Sequence, residues 1–361
     1  MSELPVTTFF TRWRHLPLAD REIIEGLVDP QHAGPSPALA EAIERWPGAH
    51  YWDTAPEGRT LILVAEDHPP REKWLVNAAL FALALLSMTI AGATFAGIPA
   101  AWHLPSMAAL RVGLTFSIPL AAILAAHESG HYLAARRYRV NASPPYFIPF
   151  PPQLGLLGTM GAFIRLRSPL YDRRTLFDIG AAGPFAGIVV AIPVLLLGLA
   201  QSATAMLPSV PLAHQVIVVE DFHLLLGDSL LLALCRAIVG AHGTIALTPL
   251  AIAGWTGMFI TCLNLLPLAQ LDGGHITFAL FGGAQSWVAR FFWLLLIPLG
   301  RLWQGWWLWA VIALVIGRGR LGHPMLIAPE RPLDAKRRVL AWLAIALLLV
   351  TFTPLAIYVP S

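Results

Sequence analysis

The sequence predicts an all-α polytopic membrane protein of about seven transmembrane helices, with a small soluble α+β domain at its N-terminus. Three observations predict it. Of 361 residues, 57% are hydrophobic and only 12% are charged, against about a quarter charged in soluble domains. The apolar residues collect in runs near the roughly 20 residues that a helix needs to cross a bilayer. Arg and Lys gather at the ends of those runs, whereas the first 70 residues have no such run. The net charge of +3 is too small for a nucleic-acid footprint, and no basic stripe is interleaved with aromatics. No nucleic-acid partner is expected.

Residues 1–70 read as the soluble domain. "ADREIIEGL" and "SPALAEAIERW" read as short amphipathic helices, the second N-capped by Ser36, and "RTLILVAE" reads as a strand. This domain carries no recognisable chemistry, so its regulatory partner is unnamed. The N-terminus has no long apolar h-region, and the first span is expected to serve as the targeting signal. Residues 71–361 read as the membrane-embedded domain. Spans are expected near 74–97, 109–135, 176–201 and 246–270, then a close pair at 285–301 and 303–317, then 339–358. Pro298 and Arg301 break the pair, and "LWQGWWLW" supplies an aromatic belt. The stretch 222–240 carries Asp228 and Arg236, and either crosses or lies along the interface. Cys235 and Cys262 both fall in apolar runs and form no CxxC pair, so both are expected to be buried small residues.

Orientation follows from the basic clusters. Arg71 and Lys73, Arg136, Arg137 and Arg139, Arg165 to Arg174, Arg318 and Arg320, and Lys336 to Arg338 all fall on one face when the spans alternate. That face is expected to be the cytoplasm, with the N-terminus inside, most simply in a bacterial cytoplasmic (inner) membrane.

The chemistry begins in "AAILAAHESGHYLAARRYRV". His127 and His131 are four apart and so share one face of a helix. Neutral imidazoles in that register bind zinc, and Glu128 sits where a general base would. Ionisable side chains inside a span are costly and mark function. Catalytic zinc takes three protein ligands and keeps one position open. The metzincin continuation fails, because Ala134 and Arg137 stand where it needs Gly and His. A nearby downstream Glu fails too, since the next one is Glu220. In "CLNLLPLAQLDGGH", Asp272 ends an expected span on the same side as His131, with His275 as the rival third ligand.

His127-Glu128-x-x-His131, Asn264-x-x-Pro267 and Leu271-Asp272-Gly273 together resemble the site-2 protease family of intramembrane zinc metalloproteases. "PPYFIPFP" with "LGTMGAFIRLRSP" is similar to the loop after that family's zinc helix, and "DIGAAGPFAGIVVA" to its third core helix. The likeness covers about 71–358, with a catalytic core near 107–275. It implies one Zn2+ per chain on His127, His131 and Asp272, Glu128 as general base, and Asn264 near the reacting carbonyl. It implies substrates that are transmembrane segments of membrane proteins, met within the lipid bilayer. The loop holding Gly158 and Gly161 would turn back into the membrane and offer an edge to substrate. Gly180, Gly183 and Gly187 read as small residues for close helix packing. No segment between the motifs has room for a PDZ-like insertion. Two other readings use the same residues: an ion transporter, which the scarcity of acidic groups on other spans disfavours, and an inactive binding homologue, which an intact Glu128 disfavours.

Overall fold

The computed structural model describes residues 5–18, 21–46, 48–55, 57–66, 73–98, 106–138, 140–152, 157–167, 170, 172–205, 213–219, 222–323, 326 and 332–359. The N-terminal segment forms β1 (Phe10–Leu18), β2 (Arg21–Val28), α1 (Pro37–Glu44), β3 (Ala49–Ala55) and β4 (Gly58–Glu66). The strands pair antiparallel in the order β1-β2-β4-β3. Ser36 caps α1 as expected, accepting from the Leu39 amide at 3.4 Å. Leu39 and Ile43 of α1 pack on Ile24, Leu61 and Leu63 of the sheet. "ADREIIEGL" is corrected: residues 21–28 are strand β2 rather than a helix. Ile24, Gly26 and Val28 alternate inward, the period of a strand. Gly26 fits beneath the Phe10 ring, and in a helix interior it would cost about 1 kcal/mol.

The apolar part comprises α2 (Trp74–Phe95), α3 (Met107–Arg137), β5 (Tyr146–Pro149), β6 (Thr159–Phe163) and α4 (Arg173–Ala200). It continues with β7 (Ala203–Thr204), β8 (Gln215–Val219), β9 (Phe222–Leu226), α5 (Leu230–Val239), β10 (Ile245–Ala246) and α6 (Pro249–Asn264). Then come α7 (Asp272–Phe281), α8 (Gln285–Leu299), α9 (Gly305–Ile316), α10 (Ala335–Thr351) and β11 (Ile357–Tyr358). Among the described residues, four stretches are long and apolar enough to cross a membrane: α2, α3, α4 and the run Asp272–Leu299 formed by α7 and α8. The expected count of seven spans is therefore not reproduced. α6 has 16 residues, about 24 Å at 1.5 Å per residue. It is walled by protein, with Gly254 against Leu195 of α4 and Gly257 against Ile123 of α3.

The expected span 246–270 also ends early. Pro267 lacks an N–H and restricts the residue before it, Ala269 turns with φ 45°, and a new helix starts at Asp272. Asn264 and Asp272, expected on one span with Asp272 at its end, are instead the last residue of α6 and the first of α7. The stretch 222–240 splits into β9 and α5. At 10 residues, α5 is about 15 Å long, half of the hydrocarbon thickness. β9 joins a sheet of order β11-β9-β8-β10-β7. That sheet caps the end where α4 and α10 finish and α6 begins, and Trp255 of α6 donates to the Gly227 carbonyl at 3.0 Å. Cys235 and Cys262 are free and buried.

At the other end, the basic clusters meet. Arg337 of α10 grips Asp178 of α4 through Nε to Oδ1 at 2.8 Å and Nη2 to Oδ2 at 2.6 Å. It also donates to the Tyr138 hydroxyl at 3.1 Å and pairs with Asp334. Tyr138 in turn donates to Asp178. The end of α3 and the starts of α4 and α10 thus lie on one face; Arg71 and Arg139 lie outside the described residues.

Candidate metal centre

The deep part of this face is built by α3, α4 and α7. His127 and His131 project from one side of α3, with ring centroids 4.9 Å apart. Their Nε2 atoms approach to 3.1 Å. Asp272 meets both rings, Oδ2 at 3.1 Å from His127 and Oδ1 at 3.3 Å from His131. One donor atom from each of the three residues lies within 4.8 Å of the others. Two imidazole nitrogens and a carboxylate oxygen converging on one point, with no fourth protein donor among the described residues, are a zinc-type donor set with an open position. His127, Glu128 and His131 are all buried. His275, the rival ligand, lines the same cavity but pairs with His323, Nδ1 to Nε2 at 2.8 Å, and stands outside the donor set.

The tautomer of His131 follows from its neighbour. Its Nδ1 lies 2.7 Å from the Ile179 carbonyl oxygen of α4. A carbonyl only accepts, so Nδ1 carries the proton and Nε2 presents its lone pair inward. Sequence reading missed a second contribution of α4. A Cβ on Gly183 would collide with the His131 ring, one on Gly187 would sit 3.2 Å from His127 Nδ1, and one on Gly180 would sit 2.8 Å from His275 Cβ. These glycines are notches for imidazoles. The signal was legible in their spacing of three and four residues, which puts them on one helix face. Close backbone packing falls instead to Gly130, where a Cβ would meet the Ala182 carbonyl.

Two further groups complete the site. Asn264 Nδ2 lies 3.3 Å from His127 Nε2, brought there by the last turn of α6. Glu128 opens onto a 160 Å3 cavity whose other wall includes Ala162, Phe163 and Ile164. The Ile164 backbone N–H is directed at the Glu128 carboxylate. Those wall residues belong to and follow β6, which among the described strands pairs only with β5 and so keeps one edge unpaired beside the cavity. The hairpin is pinned to α2: Asn77 Nδ2 donates to the Pro145 carbonyl at 3.0 Å, and Ser87 donates to that of Phe150 at 2.5 Å. Gly158, at φ 71°, approaches the Ser87 carbonyl so closely that no side chain fits.

Comparison with known proteins bears on this arrangement. Peptidase family M50 matches residues 115–291, a stretch that contains all three motifs. The chain is 38% identical over 192 residues to "Probable zinc metalloprotease EGY1, chloroplastic" of Arabidopsis thaliana, covering 51% of this chain and 33% of that protein. The Oryza sativa subsp. japonica protein of the same name is 37% identical over 186 residues, covering 49% and 30%. Arabidopsis EGY2, also named a probable chloroplastic zinc metalloprotease, is 33% identical over 187 residues, covering 48% and 30%. The chain thus spans about a third of the length of these relatives. No solved structure matches it. The relatives' chloroplastic names give no support to the expected bacterial inner membrane. With four apolar stretches of spanning length among the described residues, the chain is a membrane protein, and its residues 115–291 form a domain of the site-2 protease family, peptidase family M50.

Proposed function

We propose that this chain is an intramembrane zinc metalloprotease that hydrolyses peptide bonds within or beside transmembrane segments of membrane proteins. The observation that carries the reading is a buried carboxylate, Glu128, beside a His-His-Asp donor set in one cavity. Zinc is the cofactor, and His127, His131 and Asp272 are the residues that would hold it. When bound, zinc supplies Lewis-acid polarisation and a more acidic water at neutral pH.

The chain's own groups do the rest. Glu128 takes a proton from the attacking water and returns it to the leaving amine. Its burial keeps bulk water from competing. Asn264, whose amide reaches the same spot from α6, donates to the oxygen that becomes negative in the transition state. A substrate helix has its carbonyls bonded internally and must unwind to be cut. The free edge of β6 can take up the unwound strand by main-chain pairing, so no peptide group is stranded without a partner in the apolar surroundings.

The N-terminal domain, residues 1–70, and the mouth of the site share the arginine-rich face. By the positive-inside rule this is the cytoplasm-like side of whichever membrane holds the chain. The test is Glu128→Gln in the full chain, assayed on a single-span membrane substrate with zinc measured in parallel. Zinc is expected to remain near one per chain while cleavage falls by about 10²-fold or more. Undiminished cleavage would refute the reading.

A further inference from the structure

A second cavity, of 230 Å3, lies between α7, α8 and α10. Ile276, Phe281, Phe292, Trp342, Ile345 and Leu348 form most of its wall. The hydroxyl lining it, from Thr277, already donates to the Gly273 carbonyl at 2.6 Å, so the interior offers no free polar group to a peptide. The mouth lies between Phe281 and Trp342, which are 38% and 56% exposed and meet edge to face at 5.9 Å.

The rim is cationic. Gly282 follows Phe281 with φ 59°, and the Arg173 guanidinium lies over it where any Cβ would collide. Arg173 Nε is buried without a hydrogen-bond partner. The nearby carboxylates are already engaged. Asp178 and Asp334 hold Arg337, and Asp172 accepts from the Thr175 amide at 2.8 Å. An anion brought to the partly buried Arg173 side chain would satisfy that donor. Arg338 stands one turn from Trp342 on the same face of α10.

We propose that this is a site for one anionic phospholipid, its phosphate on Arg173 and one acyl chain in the apolar cavity. The apolar wall gives a main chain no hydrogen-bond partner, which favours an acyl chain over an unwound substrate strand. Basic pockets between membrane helices bind such headgroups, and Arg338 adds field that favours an anionic lipid over a zwitterionic one. Because Gly273 and Ile276 of the cavity wall lie on the helix that begins at Asp272, an acyl chain there buttresses α7. This inference stands apart from the proteolytic reading, since its readout is lipid retention.

The test is native mass spectrometry of the detergent-purified full chain, titrated with dioleoyl phosphatidylglycerol or dioleoyl phosphatidylcholine. One phosphatidylglycerol per chain is expected to bind about fivefold tighter than phosphatidylcholine, from about 1 kcal/mol per arginine near the headgroup. Arg173→Gln should weaken both lipids and Arg173→Lys should restore them, while Arg338→Gln should remove the preference for phosphatidylglycerol. Ala344→Phe, which fills the cavity from α10, should weaken both lipids while leaving Arg173 in place. Equal retention of the two lipids by the unmodified chain would overturn the proposal. So would displacement by millimolar inorganic phosphate with no effect of Ala344→Phe, which would mark a free-anion site. One-for-one competition by an apolar transmembrane peptide would overturn it in favour of a substrate groove.

Discussion

Replacing Gly183 by Ala separates the placement of the metal ligands from the stability of the fold. An added Cβ would lie 2.5 Å from both Cδ2 and Cε1 of His131, where carbon atoms settle at about 3.5–4.0 Å. The ring must therefore move by about 1 Å. It cannot do so freely, because Nδ1 is held by the Ile179 carbonyl at 2.7 Å. Metal sites tolerate errors of only about 0.2 Å in donor distance. Zinc affinity is therefore expected to fall by at least about 10–100-fold, the range seen when a ligand loses its orienting partner. The helix itself should not suffer, since Ala is favoured over Gly in a helix interior by about 1 kcal/mol. Gly187→Ala is the matched control: its Cβ would meet His127 Nδ1 at 3.2 Å, so a few tenths of an ångström suffice and the loss should be slight. The assay is zinc content by mass spectrometry after dialysis against a competing chelator, with circular dichroism melting in parallel. A Gly183→Ala protein that keeps its zinc at the same chelator concentration as the parent would refute the notch reading.

Other outcomes follow from the same geometry. Asp272→Ala removes the donor that bridges both imidazoles and should lose zinc and cleavage together, with His275 unable to substitute; retained zinc would show that a different third ligand is in use. Asn264→Ala should keep zinc but lower kcat by about 10²–10³-fold, the size of a lost oxyanion donor, with KM little changed in steady-state kinetics. Arg337→Ala leaves Asp178 and Tyr138 without their cation on a half-buried face and should destabilise the fold by about 1–3 kcal/mol, read as a lower unfolding temperature with zinc binding per folded molecule preserved.

The parts of the site that were legible in the sequence are those fixed by local spacing. His127, Glu128 and His131 belong to one helical turn, so no tertiary information is needed to bring them together. Asp272 could be proposed because an acid beside two glycines interrupts an apolar stretch, though whether it ends or begins a helix depended on how the chain negotiates Pro267 and Ala269. The glycines of α4 were read as packing residues because their partners, the rings on α3, lie on another helix, and a notch is defined only by what fills it. The β6 edge was anticipated from the resemblance, but its alignment with Glu128 rests on hydrogen bonds from α2 that no local pattern announces. Residues 21–28 were misread because Ile23 and Ile24 satisfy a helical period as well as a strand period over so short a stretch, and cross-strand pairing with β1 and β4 decides between them. The expected seven spans and the four found among the described residues differ for a related reason. Hydropathy counts apolar residues, but α6 spends them against α3 and α4 rather than against lipid.

The bond from His131 to the Ile179 carbonyl has a mechanical consequence. With the imidazoles on α3, their notches on α4 and this bond between the two, α3 and α4 form a jaw whose parting would free the His131 ring from its orienting bond. The hairpin of β5 and β6 is fastened not to the jaw's ligands but to α2, through Asn77 and Ser87. The hairpin edge beside Glu128 therefore takes its bearings from α2, which is itself seated on α3 where a Cβ on Gly113 would meet the Thr89 carbonyl.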